Sequence, residues 1–150
     1  MPTENVQDYP RPPVIEAVAQ RVRVFLGGTI VAETWTALRV LETHHAPTYY
    51  IPRYDVLTGA LVPVSGHTRC IWKGIAQYFD LSVNRISSAK AAWSYPDPNE
   101  GFEALREHVA FYPQRVELCQ IGTTTAHGQP GSPYGGWVTP NLRGLVNPTT

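Results

Sequence analysis

RVRVFLGGTIVAET, residues 21–34, reads as a β-hairpin. Val22, Val24 and Leu26 alternate with Arg21, Arg23 and Phe25, the period of two that puts apolar side chains on one face of a strand. Gly27-Gly28 supplies two residues that enter positive φ without a steric cost, as a tight hairpin turn requires. Thr29–Thr34 then runs back along the first strand.

The same texture continues on both sides. TWTALRVLET, residues 34–43, has apolar positions that fit either period and reads as a turn followed by a strand. In HHAPTYYIPRYDV, residues 44–56, Pro47 and Pro52 exclude a long helix and leave a short strand around Tyr49, Tyr50 and Ile51. GALVPVSGHT, residues 59–68, reads as a loop or edge strand. RCIWKGIAQYFDLSV, residues 69–83, reads as two strands around Gly74. The best helix signal is NEGFEALREHVAFY, residues 99–112, where Asn99 is placed to cap and Glu100 and Glu103 put negative charge in the first turn. Strand character resumes before Pro113, so this helix is expected to be short.

The expected fold is therefore mainly β, a single antiparallel barrel or a tent-like two-sheet arrangement with one short helix. Residues 1–13 read as an N-terminal arm, 14–121 as the β domain, and 122–150 as a tail rich in Gly, Pro and Thr. Such a tail cannot fold alone. Tyr134 and Trp137 within it point to docking on its own body or on a second copy, which would make a homodimer.

Composition narrows the function. Lys plus Arg equals Asp plus Glu at 12 each, so no basic excess meets a phosphate backbone and no nucleic-acid partner is expected. No apolar run is long enough to span a bilayer, and MPTENVQDYPRPP lacks the apolar core of a signal peptide. A cytoplasmic protein with no membrane partner is the expectation. Cys70 and Cys119 are then reduced and unpaired. Phosphate-binding glycine loops and the G-x-S-x-G elbow are absent.

Four constellations carry chemistry. A cation beside a thiol favours the nucleophilic thiolate, which makes Cys70 and Lys73 a candidate pair. Along one regular strand, however, residues i and i+3 point to opposite faces, and Cys70 then reads as a small buried apolar residue. His44, His45, His67, Cys70 and Cys119 could ligate zinc, but no paired C-x-x-C spacing is present, so neither metal nor other cofactor is expected. Tyr50, Trp72, Tyr78, Trp93, Tyr95 and Tyr112 are core-sized side chains, and the phenols and indoles among them also suit the wall of a pocket for a planar or polar ligand. Glu42 and Asp55 are candidate proton carriers if desolvated.

Four blocks then carry a resemblance: ETHHAPTYYIP at 42–52, TRCIWKG at 68–74, AWSYPDP at 92–98 and AFYP at 110–113. Together, in this order over residues 11–119, they resemble the DUF427 family of small bacterial and fungal proteins. The resemblance implies a compact all-β fold. Carried onto this chain, its motif positions are Glu42, Tyr50, Pro52, Asp55, Thr68, Cys70, Lys73, Gly74, Tyr78, Trp93, Tyr95 and Tyr112. Ile71 stands where the family commonly has proline, which restores a backbone N–H and frees the local φ. One family name hints at nucleotidyl transfer, which calls for paired carboxylates around Mg²⁺, and this chain has no D-x-D. The expectation is a small-molecule enzyme whose aromatic-walled pocket contains Cys70 and Lys73, with a non-catalytic ligand-binding module of β-tent type as the alternative.

Overall fold

The computed structural model describes residues 1–146. Its strands are β1 (Glu4–Asn5), β2 (Val14–Ala17), β3 (Val22–Leu26), β4 (Thr29–Thr34), β5 (Leu38–Leu41), β6 (Thr48–Pro52), β7 (Leu61–Cys70), β8 (Gly74–Val83), β9 (Ile86–Ser94), β10 (His108–Phe111), β11 (Leu118–Ile121), β12 (Thr124–Ala126) and β13 (Leu142–Arg143). β3 and β4 form the expected hairpin, with Gly27 at φ 63° and Gly28 at φ 70° between the paired Leu26 and Thr29. Seven strands make one sheet in the order β2-β5-β6-β10-β9-β8-β7, and four make a second in the order β12-β11-β3-β4. Within both sheets every pairing is antiparallel. Neither sheet closes on itself, so the architecture is the two-sheet fold and not the barrel.

The main core lies between the sheets. Val22, Val24, Val31 and Ile121 from the four-stranded sheet meet Tyr49, Ile51, Phe79, Leu81, Val109 and Phe111 from the seven-stranded one. The other face of the larger sheet is also covered. There Tyr50, Ala76, Trp93 and Ala110 form a second cluster with Tyr95, Phe102 and Leu105. Successive residues of β6 and β10 thus feed different clusters, as the pleat requires.

The expected helix does not form: among the described residues there is no α-helix. Residues 99–112 hold only a short 3₁₀ turn, Glu103–Leu105, before β10 begins. Gly101 (φ 91°) and Glu107 (φ 61°) interrupt the chain on either side of that turn. Phe102 and Leu105 are drawn into the second cluster. Asn99 does not cap a helix; its backbone N–H donates to the Lys73 carbonyl at 2.9 Å. No helix is long and apolar enough to cross a membrane among the described residues.

Arm and tail are tied to each other and to the body. β1 pairs in parallel with β13, and Val6, fully buried, packs with Ala46 and Leu142. Arg39 donates to Glu4 at 3.1 Å and lies 2.7 Å from a Glu16 oxygen, while the Tyr9 hydroxyl donates to Glu4 as well. The tail lies across its own chain. Trp137 is 0% exposed, tilts against Tyr49 at 4.9 Å between ring centres, and donates its indole N–H to the Phe111 carbonyl at 3.0 Å.

Trp137→Ala is expected to destabilise the fold by about 3–5 kcal/mol, the usual cost of removing a buried aromatic, measured by denaturant unfolding. A second expectation concerns acid. Burial pushes the Glu4 carboxyl up, but the Tyr9 hydroxyl and the Arg39 guanidinium outweigh it and leave the group below its ordinary value of 4.5. Folded Glu4 therefore binds fewer protons than unfolded Glu4. Its contribution is present above pH 4.5 and is lost as pH falls below that towards the lowered value. Glu4→Gln should be less stable than the parent at neutral pH, with the difference shrinking through that acid window in pH-dependent melting curves.

Candidate functional site

The second face of the seven-stranded sheet carries a cavity of about 580 Å³. Its floor comes from the middle of the sheet. β6 contributes Tyr50, β9 contributes Trp93, and Tyr95 and Tyr112 follow the ends of β9 and β10. The Tyr50 and Trp93 rings meet edge to face at 6.5 Å, and Trp93 and Tyr112 lie 4.4 Å apart at a tilt. One wall is the β7–β8 hairpin, with Cys70, Trp72 and Lys73 at its tip and Tyr78 further along β8. Glu42, His44 and His45 form another.

The hairpin tip explains how Cys70 and Lys73 meet. Cys70 pairs with Gly74 across the ladder, and residues 71–73 make the turn between them. Gly74 sits at φ 118°, where a side chain is strained, and so closes the turn. The two residues are therefore joined through a turn and do not lie along one strand. Lys73 Nζ donates to Cys70 Sγ at 3.6 Å. Asn99 holds the tip from outside: besides its backbone contact to Lys73, its side-chain amide donates to the Trp72 carbonyl at 3.2 Å.

Glu42 is already engaged, 3.5 Å from the Arg11 guanidinium and 3.9 Å from His45 Nε2. Burial depresses the His45 imidazole; Glu42 opposes this, and Arg11, Lys73 and His44 reinforce it. His45 is thus a neutral ring at neutral pH. Burial is also the main force raising the phenols of Tyr50, Tyr95 and Tyr112, the last to about 12, with neighbouring phenols and, for Tyr50 and Tyr95, Cys70 adding to it. All three are protonated donors under ordinary conditions. The Tyr78 hydroxyl shares a 2.7 Å hydrogen bond with Thr68.

Of the residues singled out as catalytic or substrate-binding, all but Asp55 line this cavity, while the other candidates His67, Cys119, Pro52 and Gly74 do not. Asp55 lies in the 3₁₀ turn Arg53–Asp55 after β6, next to Val56, which bridges to Ala32 of the four-stranded sheet. Cys119 is buried in the main core, where desolvation pushes its thiol up, and it does not line the cavity. Among the described residues no three His, Cys, Asp or Glu side chains come together as a metal site needs.

The sequence reading missed the remaining wall, which the tail supplies. Gln129, Ser132, Tyr134 and Gly135 cross the cavity as a strap whose ends are joined by the His127–Val138 bridge. Tyr134 meets the His45 ring edge-on at 5.1 Å. A Cβ on Gly135 would enter the Trp93 ring, and one on Gly136 would come 2.7 Å from the Ala46 carbonyl. The paired glycines before Trp137 were the available signal: close backbone approach demands them.

No curated protein is similar to this chain in sequence. The family described as "Domain of unknown function (DUF427)" matches residues 14–122, which include every strand of the cavity floor and the Cys70–Lys73 hairpin but not the strap. On that match the chain belongs to the DUF427 family.

Proposed function

We propose that the cavity is a small-molecule site in which Cys70 is the nucleophile and Lys73 the charge that polarises the group it attacks. The observation that carries this is the 3.6 Å approach of Lys73 Nζ to Cys70 Sγ inside an aromatic-walled cavity. An ammonium beside a sulfur stabilises the thiolate and any oxyanion formed on attack. Tyr50, Trp72, Tyr78, Trp93, Tyr95 and Tyr112 supply the walls that orient a flat substrate and exclude water. Glu42, coupled to His45, takes the proton-handling role, and Asp55 has no access to it. A strap over the open side limits what enters.

Iodoacetamide labelling at neutral pH, read by peptide mass spectrometry, tests the pair with Cys119 as a buried internal reference. Cys70 should be carbamidomethylated much faster than Cys119, and Lys73→Met should slow Cys70 while leaving Cys119 unchanged. A Cys70 rate indifferent to Lys73→Met in a folded variant would sink the nucleophile and leave only a binding cavity. Gly135→Ala tests the strap. The added methyl must displace either the strap or the Trp93 ring, at a cost of about 1–3 kcal/mol typical of overpacking. It should also raise the labelling rate of Cys70 by a bulky fluorescein maleimide more than by iodoacetamide.

A further inference from the structure

The charges and the converging polar atoms of this cavity specify a ligand class; the inference rests on the small-molecule reading above. Among the described residues no carboxylate lies within ion-pair distance of Lys73. Its ammonium contacts the Cys70 sulfur and lies 5.9 Å from the centre of the Tyr95 ring. The one carboxylate in the wall, Glu42, is matched by Arg11. The cavity therefore holds a partly buried cation that no carboxylate matches, a charge that favours an anionic ligand over a neutral or cationic one.

The floor adds a second, independent requirement. Tyr50, Tyr95 and Trp93 are 1%, 6% and 7% exposed, and each carries a polar atom. The Trp93 indole N–H faces both phenol oxygens and favours their ionisation against burial. The three polar atoms thus converge at one point of the cavity floor. A few converging polar groups in an otherwise apolar pocket are what fixes a ligand's orientation, so this point is a place for a ligand oxygen.

We infer that the cavity takes a small planar carboxylate with a hydroxyl or carbonyl oxygen at its far end. The carboxylate meets Lys73, the flat body lies along the indole and phenol rings, and the distal oxygen reaches the Tyr50–Trp93–Tyr95 point. A volume of about 580 Å³ accommodates such a molecule within the usual range for small-ligand sites. A cationic ligand of the kind aromatic cages hold would be repelled by Lys73. A nucleoside polyphosphate would bring several charges to a wall that offers Lys73 and, at the rim, Arg69.

Titration calorimetry on the full chain tests this with 4-hydroxybenzoate, benzoate, neutral 4-hydroxybenzamide and cationic 4-hydroxybenzylamine. The hydroxybenzoate should bind at least about tenfold more tightly than the amide and the amine, since an unmatched charge pair is what separates them. Lys73→Met should abolish that preference and Lys73→Arg should retain it. Tyr50→Phe should weaken 4-hydroxybenzoate and leave benzoate unchanged. Amide or amine binding as tightly as the acid would overturn the inference while leaving a small-molecule cavity. Absence of binding by all four would also overturn it, and the Cys70 labelling experiment would then decide separately whether the small-molecule reading survives.

Discussion

The placement of Trp137 is the constraint on which the site depends. A tail of this composition has too little apolar surface to order itself, so it needs an anchor. Trp137 provides one by entering the main core against Tyr49 and closing its N–H on Phe111. Its backbone N–H also donates to the Pro47 carbonyl at 2.7 Å. From this fixed point the chain runs in two directions. On the N-terminal side the strap crosses the cavity over Trp93 and Ala46, where only glycine fits. On the C-terminal side the chain reaches β13, which pairs with β1 and brings in the arm. Cavity wall and arm attachment are consequences of the same buried ring.

The larger sheet then couples the cavity to the core. Tyr49 points into the main core and Tyr50 into the cavity cluster; Ala92 and Trp93, and Phe111 and Tyr112, divide in the same way. A shift of one residue in the pairing of β6, β9 or β10 would send the phenols and indole into the core and aliphatic groups into the cavity. The geometry of the floor is therefore enforced by the packing of the opposite face, where Ile51, Phe79, Val109 and Phe111 are essentially inaccessible.

This division explains what the sequence could and could not reveal. Alternation and Gly27-Gly28 are local signals, so the β3–β4 hairpin and the strand around Tyr49–Ile51 were legible. Large aromatics in separate strands are also visible individually, although their convergence depends on strand order. The failures came where a distant segment decides the outcome. Asn99 carries a helix cap's chemistry, but the β7–β8 turn claims its hydrogen bonds and Gly101 breaks the chain behind it. Cys70 and Lys73 looked opposed only while they were placed on one strand. Asp55 looked equivalent to Glu42 by residue type, yet the turn after Pro52 carries it towards the other sheet. The strap could not be placed at all without knowing where Trp137 goes.

The two halves of the proposed site differ in how firmly the fold holds them. Tyr50 and Trp93 stand on central, doubly covered strands, and Tyr95 directly follows one of them. Cys70 and Lys73 stand at the tip of the hairpin made with the edge strand β7, whose residues 65–69 are all exposed. Elements with few buried contacts open and shift at lower free energy than central ones. Ile71, 79% exposed and lacking proline's φ restraint, leaves that tip dependent on Asn99. On the proposed function, the rigid floor would fix the position and orientation of a flat ligand, and the more exposed tip would bring the thiol and ammonium to it. Such a division suits a site that must recognise one framework closely and still move two reacting groups through the small displacements that bond formation requires.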